Sequence, residues 1–185
     1  KDIYQSSTFA SKDATLTAGT ITIQAGSANA QTLTITAGMK LSDLATSIEN
    51  LSGISASVEQ VGESSYRLII KSETTGTSNA LQITDNSNQL SLNLPANKIS
   101  SAQNLIAKID GVDYNMTSNT VVTSDGLKIN AIGVDSGITI SNGAITAFGS
   151  SSSLTIAKNT SSIETAINDF VASYNKMVTI ISGFL

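Results

Sequence analysis

Near the C-terminal end, apolar residues recur at intervals of 4, 3, 4, 3, 4 and 3: Ile163, Ile167, Phe170, Tyr174, Met177, Ile181 and Phe184. On a helix this spacing draws a single apolar seam of the a/d kind. Val171, Val178 and Leu185 form a second row beside it. A stripe that wide calls for more than one neighbour. Ser161 and Glu164 fit a capping box, which makes Ser161 the expected N-cap. Two readings compete for the seam. The helix packs on a sheet of its own domain, or it belongs to a longer coiled bundle. The stripe reaches the last residue with no proline or charge to close it, and the bundle explains that better.

Upstream the period changes from helical to two. "TITIQ" and "QTLTITA" alternate apolar and polar positions around the turn "AGSANA", which predicts a hairpin burying Ile21, Ile23, Leu33 and Ile35. "MKLSDLATSIENLSG" returns to helical spacing at Leu41, Leu44, Ala45, Ile48 and Leu51. Ser42 and Asp43 suit its first turn, and Gly53 suits its C-terminal cap. "ISASVEQV" and "YRLIIKS" read as strands joined at Gly62 and Ser64, and "TTGTSNALQIT" as a turn and a strand. The stretch from Asp85 to Ser101, with the sole proline, Pro95, reads as a loop-like boundary. Beyond it, "QNLIAKIDGVDYNM" is a hairpin turning at Asp110-Gly111, and two further glycine-rich β segments follow up to Gly149. Residues 1–19 are polar and weakly patterned, with alternation at Ala14, Leu16 and Ala18.

Composition agrees with many strands and turns. Charged residues are 13%, against about 25% in a typical domain. Ser and Thr, more than a quarter of the chain, take their place. The chain has no Cys, His or Trp, so zinc, haem, thiol nucleophiles and histidine bases have no ligands or groups here. The net charge of -4 carries no basic cluster, so neither nucleic acid nor an anionic membrane is an expected partner. No apolar run approaches the ~18 residues of a membrane span. No cofactor and no enzyme activity are expected. Asp85-Asn86-Ser87-Asn88 opens like a calcium loop, but the sixth and twelfth positions are Leu90 and Ala96 where Gly and Glu are needed. Asp110 and Asp113 read as turn chemistry, and Glu59, Glu63 and Glu73 have no acid–base partner. Asp113 to Thr117 matches the acidic-x-Asn-x-Thr pattern of bacterial N-glycosylation, a short pattern taken as chance.

"SSIETAINDFVASYNKMVTIIS" resembles the start of the C-terminal conserved region of the bacterial flagellar filament cap family, also called hook-associated protein 2. Phe170-Val171 and Tyr174-Asn175 carry that likeness. "AQNLIAKIDGVDYNMTSN" is similar to a second family segment, with Asp110-Gly111 and Ser118-Asn119 in place. "KLSDLATSIENLSGISASVE" with "YRLIIKSETTG" is similar to a third, and "STFASKDATLTA" to the segment that opens the outer domains. Two stretches depart from the family pattern: "GLKINAIG" after the Ser118-Asn119 segment, and the Gly/Ser-rich Val134 to Ser153.

The resemblance implies an α+β, mainly β fold: two small β-rich domains, one inserted in the other, plus a C-terminal helix from a coiled-coil leg. Residues 20–97 would be the inserted outer domain. Residues 1–19 and 98–158 would form the discontinuous second domain, and 159–185 would start the leg helix, whose companion helices lie outside these residues. It implies a homo-oligomeric ring, contact with flagellin, and a place outside the cell at the distal tip of the flagellum. Ile163, Ile167, Phe170, Tyr174, Met177, Ile181 and Phe184 would be the self-association face. Host mucin or glycans would be secondary partners. The rival readings are a surface adhesin or carbohydrate-binding β module, and another axial protein such as a flagellin or hook–filament junction protein.

Overall fold

The computed structural model describes residues 1–149, 153 and 161–182. The chain divides into two compact units, 1–150 and 151–185. In chain order the first holds β1 (Ile3–Gln5), β2 (Gly19–Ala25), β3 (Gln31–Ile35), α1 (Leu41–Glu49), β4 (Ile54–Gly62), β5 (Ser65–Ser72), β6 (Leu81–Asp85) and β7 (Lys98–Ser100). Three hairpins follow: β8 (Leu105–Ile109) with β9 (Val112–Met116), β10 (Thr120–Val122) with β11 (Lys128–Asn130), and β12 (Thr139–Ser141) with β13 (Ala144–Ala147). The second unit contains α2 (Ser161–Ser182).

The body of the first unit is two antiparallel sheets and α1 around one core. One sheet has the order β4-β5-β1-β7 and the other β3-β2-β6. The predicted β2–β3 hairpin forms, with Ile21 opposite Leu33, and Ile21, Ile23 and Ile35 go inside. β2 then pairs through its other edge with β6, placing Ile23 opposite Ile83. α1 buries Leu41, Leu44, Ala45 and Ile48. Ile54, Leu68 and Ile70 meet them from the larger sheet. Burying each such Leu or Ile contributes about 1.5–3 kcal/mol. Two details of α1 differ from expectation. Its N-cap is Lys40, with no side-chain cap, while Ser42 Oγ donates instead to Asp13 Oδ1 at 2.8 Å. The helix ends at Glu49, and Gly53, with φ of 79°, makes the left-handed step into β4 rather than closing the helix.

β4 is an edge strand, and Glu49 covers part of that edge by accepting a hydrogen bond from the Ala56 amide on Oε2. The β8–β9 and β12–β13 turns both use two consecutive left-handed residues, Asp110-Gly111 and Asn142-Gly143, as two-residue hairpins require.

The polar N-terminal stretch contains a strand the sequence did not announce. β1 lies between β5 and β7, with Tyr4 opposite both Ile70 and Lys98. Tyr4 and Leu16 belong to the same core cluster as the residues of α1, β2 and β5. The stretch after β6 is not a loose connection either, because Leu90 and Leu92 are fully buried in that cluster.

Candidate functional site

Among the described residues, no three His, Cys, Asp or Glu side chains gather where a metal could sit. Three of the carboxylates singled out in the sequence, Asp85, Asp113 and Glu59, are occupied by their own chain. Asp85 is buried, accepts from the Ser87 amide at 2.8 Å and the Leu92 amide at 3.0 Å, and so folds its loop back on itself. That is a turn-forming Asx role, not a calcium ligand set. Asp113 pairs with Lys108 at 3.3 Å across the β8–β9 hairpin, and Asp110 sits in its turn. Glu59 accepts from Ser57 Oγ at 2.8 Å. Asn115 lies in a paired strand, and its Oδ1 accepts from Asn104 Nδ2 at 2.7 Å. A shallow groove of about 340 Å3 beside α1, lined by Lys12, Ser42, Glu49 and Ser57 among others, gathers no acid–base pair.

One cluster escaped sequence reading altogether. Asp2 is fully buried, and its carboxylate accepts from the Leu81 amide at 2.6 Å, the Ala102 amide and Lys98 Nζ at 3.3 Å. Its own amide donates to Ser72 Oγ at 3.0 Å. The Lys98 ammonium also stands 5.0 Å from the centre of the Tyr4 ring, whose hydroxyl donates to the Leu81 carbonyl at 3.1 Å. Burial alone would lower the Lys98 pKa, but Tyr4 and the Asp2 carboxylate outweigh it and hold it above 10.5. These groups are a structural tie between the start of the chain, β6 and β7. A charge followed by a three-residue strand gives no local pattern that would find them.

The remaining candidate is the α2 seam. The helix forms as the spacing predicts, over 22 residues, about 33 Å at 1.5 Å per residue. The described span of the helix opens at Ser161, so the expected capping box lies at the limit of the described residues. At 100° per residue, Ile163, Ile167, Phe170, Tyr174, Met177 and Ile181 fall within a stripe of roughly 80°. All six are exposed, Phe170 at 71%, and Val171 and Val178 flank them. Phe184 and Leu185 lie outside the described residues. Thr165 and Thr179 turn their hydroxyls back onto the Ser161 and Asn175 carbonyls at 2.8 and 2.9 Å. A helix with such a stripe draws most of its stability from whatever packs on it. What this surface can do chemically is associate; it holds no reacting group.

No protein-family model matches the sequence, and no curated protein matches it. Solved structures do. The D2-D3 domains of the flagellar cap protein FliD from Escherichia coli align with a TM-score of 0.59 and 26% identity, over 74% of this chain and 78% of that one. The chain is FliD-like. The D1-D2-D3 domains of the same E. coli protein match at 23% identity and a TM-score of 0.59, over 98% of this chain, which spans 55% of the length of that one. FliD (HAP2) from Pseudomonas aeruginosa matches at 18% identity and a TM-score of 0.60, over 98% of this chain and 86% of that one. These last two alignments, which take in nearly the whole FliD-like chain, speak to fold alone. The resemblance read from the sequence and the mainly β architecture with a C-terminal helix are both borne out.

Proposed function

We propose that the chain is part of a cap at the tip of a bacterial flagellar filament, where several copies form a ring outside the cell. The observation that carries this reading is the likeness to the D2-D3 domains of an E. coli flagellar cap protein at 26% identity over 74% of the chain. In this reading the cap helps exported flagellin fold and insert, and keeps monomers from escaping to the medium. The α2 seam enters the leg of the cap and meets companion helices there, with Ile163, Ile167, Phe170, Tyr174, Met177, Ile181 and Phe184 as the meeting face. Residues 20–97 are the inserted outer domain between 1–19 and 98–158. The pairing of Ile3 with Ser100 and Tyr4 with Lys98 joins the two flanking segments, and β1 also pairs with β5 of the inserted stretch. Adhesion to host mucus or cells is a secondary role in the same reading.

The test is made in cells. Deleting the gene is expected to leave hooks with absent or stub filaments and to shed flagellin into the medium. Restoring it with Phe170→Asp is expected to leave the defect in place. Normal filaments with lost attachment to mucus would reject the cap in favour of an adhesin.

A further inference from the structure

Among the described residues, the core cluster of the first unit uses none past Leu92. Residues 103–149 carry three two-stranded hairpins, none of which joins either body sheet. Hairpins of that size are marginal on their own. How they are held to the body therefore decides whether they have a fixed orientation.

The attachment is polar and local. The loop from Thr74 to Asn79, between β5 and β6, reaches the end of the β8–β9 hairpin. Thr75 Oγ1 donates to the Thr117 carbonyl at 2.7 Å. The Thr77 amide and hydroxyl both donate to Asn104 Oδ1, at 2.9 and 3.1 Å. Asn104 Nδ2 donates in turn to Asn115 Oδ1 at 2.7 Å, so one side-chain amide spans loop and hairpin. Asn79 Nδ2 ties the loop to itself through the Thr75 carbonyl at 2.7 Å. Gly76 makes the approach possible. Its φ is 94°, and a Cβ there would lie 2.5 Å from Thr117 Cβ and 2.8 Å from its carbonyl oxygen. The chain enters the hairpins through Ala102, which is anchored on the Asp2 carboxylate and makes a natural pivot.

We propose that the 74–79 loop is a clasp that fixes the hairpin layer on the body, and that opening it lets the two turn relative to each other while both stay folded. Solvent-exposed hydrogen bonds each contribute little net stability, and polar joints between compact parts permit motion by default. With no described residue of the hairpin layer in the body's core cluster, a few such bonds and one glycine approach set the angle.

The chain has no cysteine, so Glu63→Cys and Asp125→Cys, at exposed turns of the body and of the hairpin layer, take spin labels cleanly. Pulsed dipolar spectroscopy on the full chain is expected to give one narrow distance distribution. Asn104→Ala and Gly76→Ala are each expected to widen it roughly twofold with the circular dichroism spectrum unchanged. Thr32→Val, which removes an equally exposed bond to Thr22 inside the body, is expected to leave the width alone. A distribution for Asn104→Ala as narrow as the parent's, or a parent already as wide as the variant, would overturn the clasp. If Gly76→Ala fails to fold, Asn104→Ala decides by itself.

Discussion

In the body of the first unit even a carboxylate is buried, with every partner supplied; in α2 even a phenylalanine lies open. Both regions carry apolar residues at helical spacing. α1 buries Leu41, Leu44 and Ile48 beneath two sheets, whereas the α2 seam has no cover among the described residues of its own unit. Periodicity thus fixes which face of a helix is apolar, and says nothing of what lies against it. Free energy follows cover: a covered seam stabilises the fold it sits in, and an open one stabilises only an assembly.

The contrast can be broken at several points. Asp2→Ala removes the acceptor for two buried amides and Lys98, and is expected to cost the chain about 3–5 kcal/mol in urea unfolding. A loss below about 1 kcal/mol would mean the cluster is incidental. Ile48→Ala opens a cavity under α1 and is expected to cost about 2–4 kcal/mol by the same measurement. The Lys98 effect is smaller and depends on pH. Its folded pKa is raised, so its contribution is complete below 10.5 and is lost as pH rises through the higher folded value. Thermal melts from pH 9 to 12 should show a decline that Lys98→Met lacks. At the other end, Phe170→Ala is expected to change the stability of the first unit by less than about 0.5 kcal/mol. A loss as large as that of Ile48→Ala would show the seam packed on its own chain and would erase the contrast.

Much of the fold was legible because the informative residues lie close together. Asp110-Gly111 and the switch of period at Leu41 each announce an element within a few positions. β1 was not legible, because its three residues become a strand only through partners at Ile69–Lys71 and Lys98–Ser100. The stretch after β6 is the connection its composition announces, but its place in the core was not legible for a similar reason. Its serines and asparagines look like loop, yet the Asp85 carboxylate folds them so that Leu90 and Leu92 point inward. The alternation of Leu90 and Leu92 was the available signal, and it breaks at the exposed Leu94. Of the candidate site, the seam was legible and its cover was not, since cover belongs to residues that no local pattern contains.

The hydrogen bond from the Ala102 amide to Asp2 closes a separation of 100 residues. That bond cannot form until every element between Asp2 and Ala102 has found room to fold. β1 must therefore wait beside a nearly finished sheet, with one of its edges unfilled until β7 arrives. Closure of so long a loop is slow compared with forming the hairpins. The docking of β7 beside β1 is thus expected to be a late event in the folding of the body.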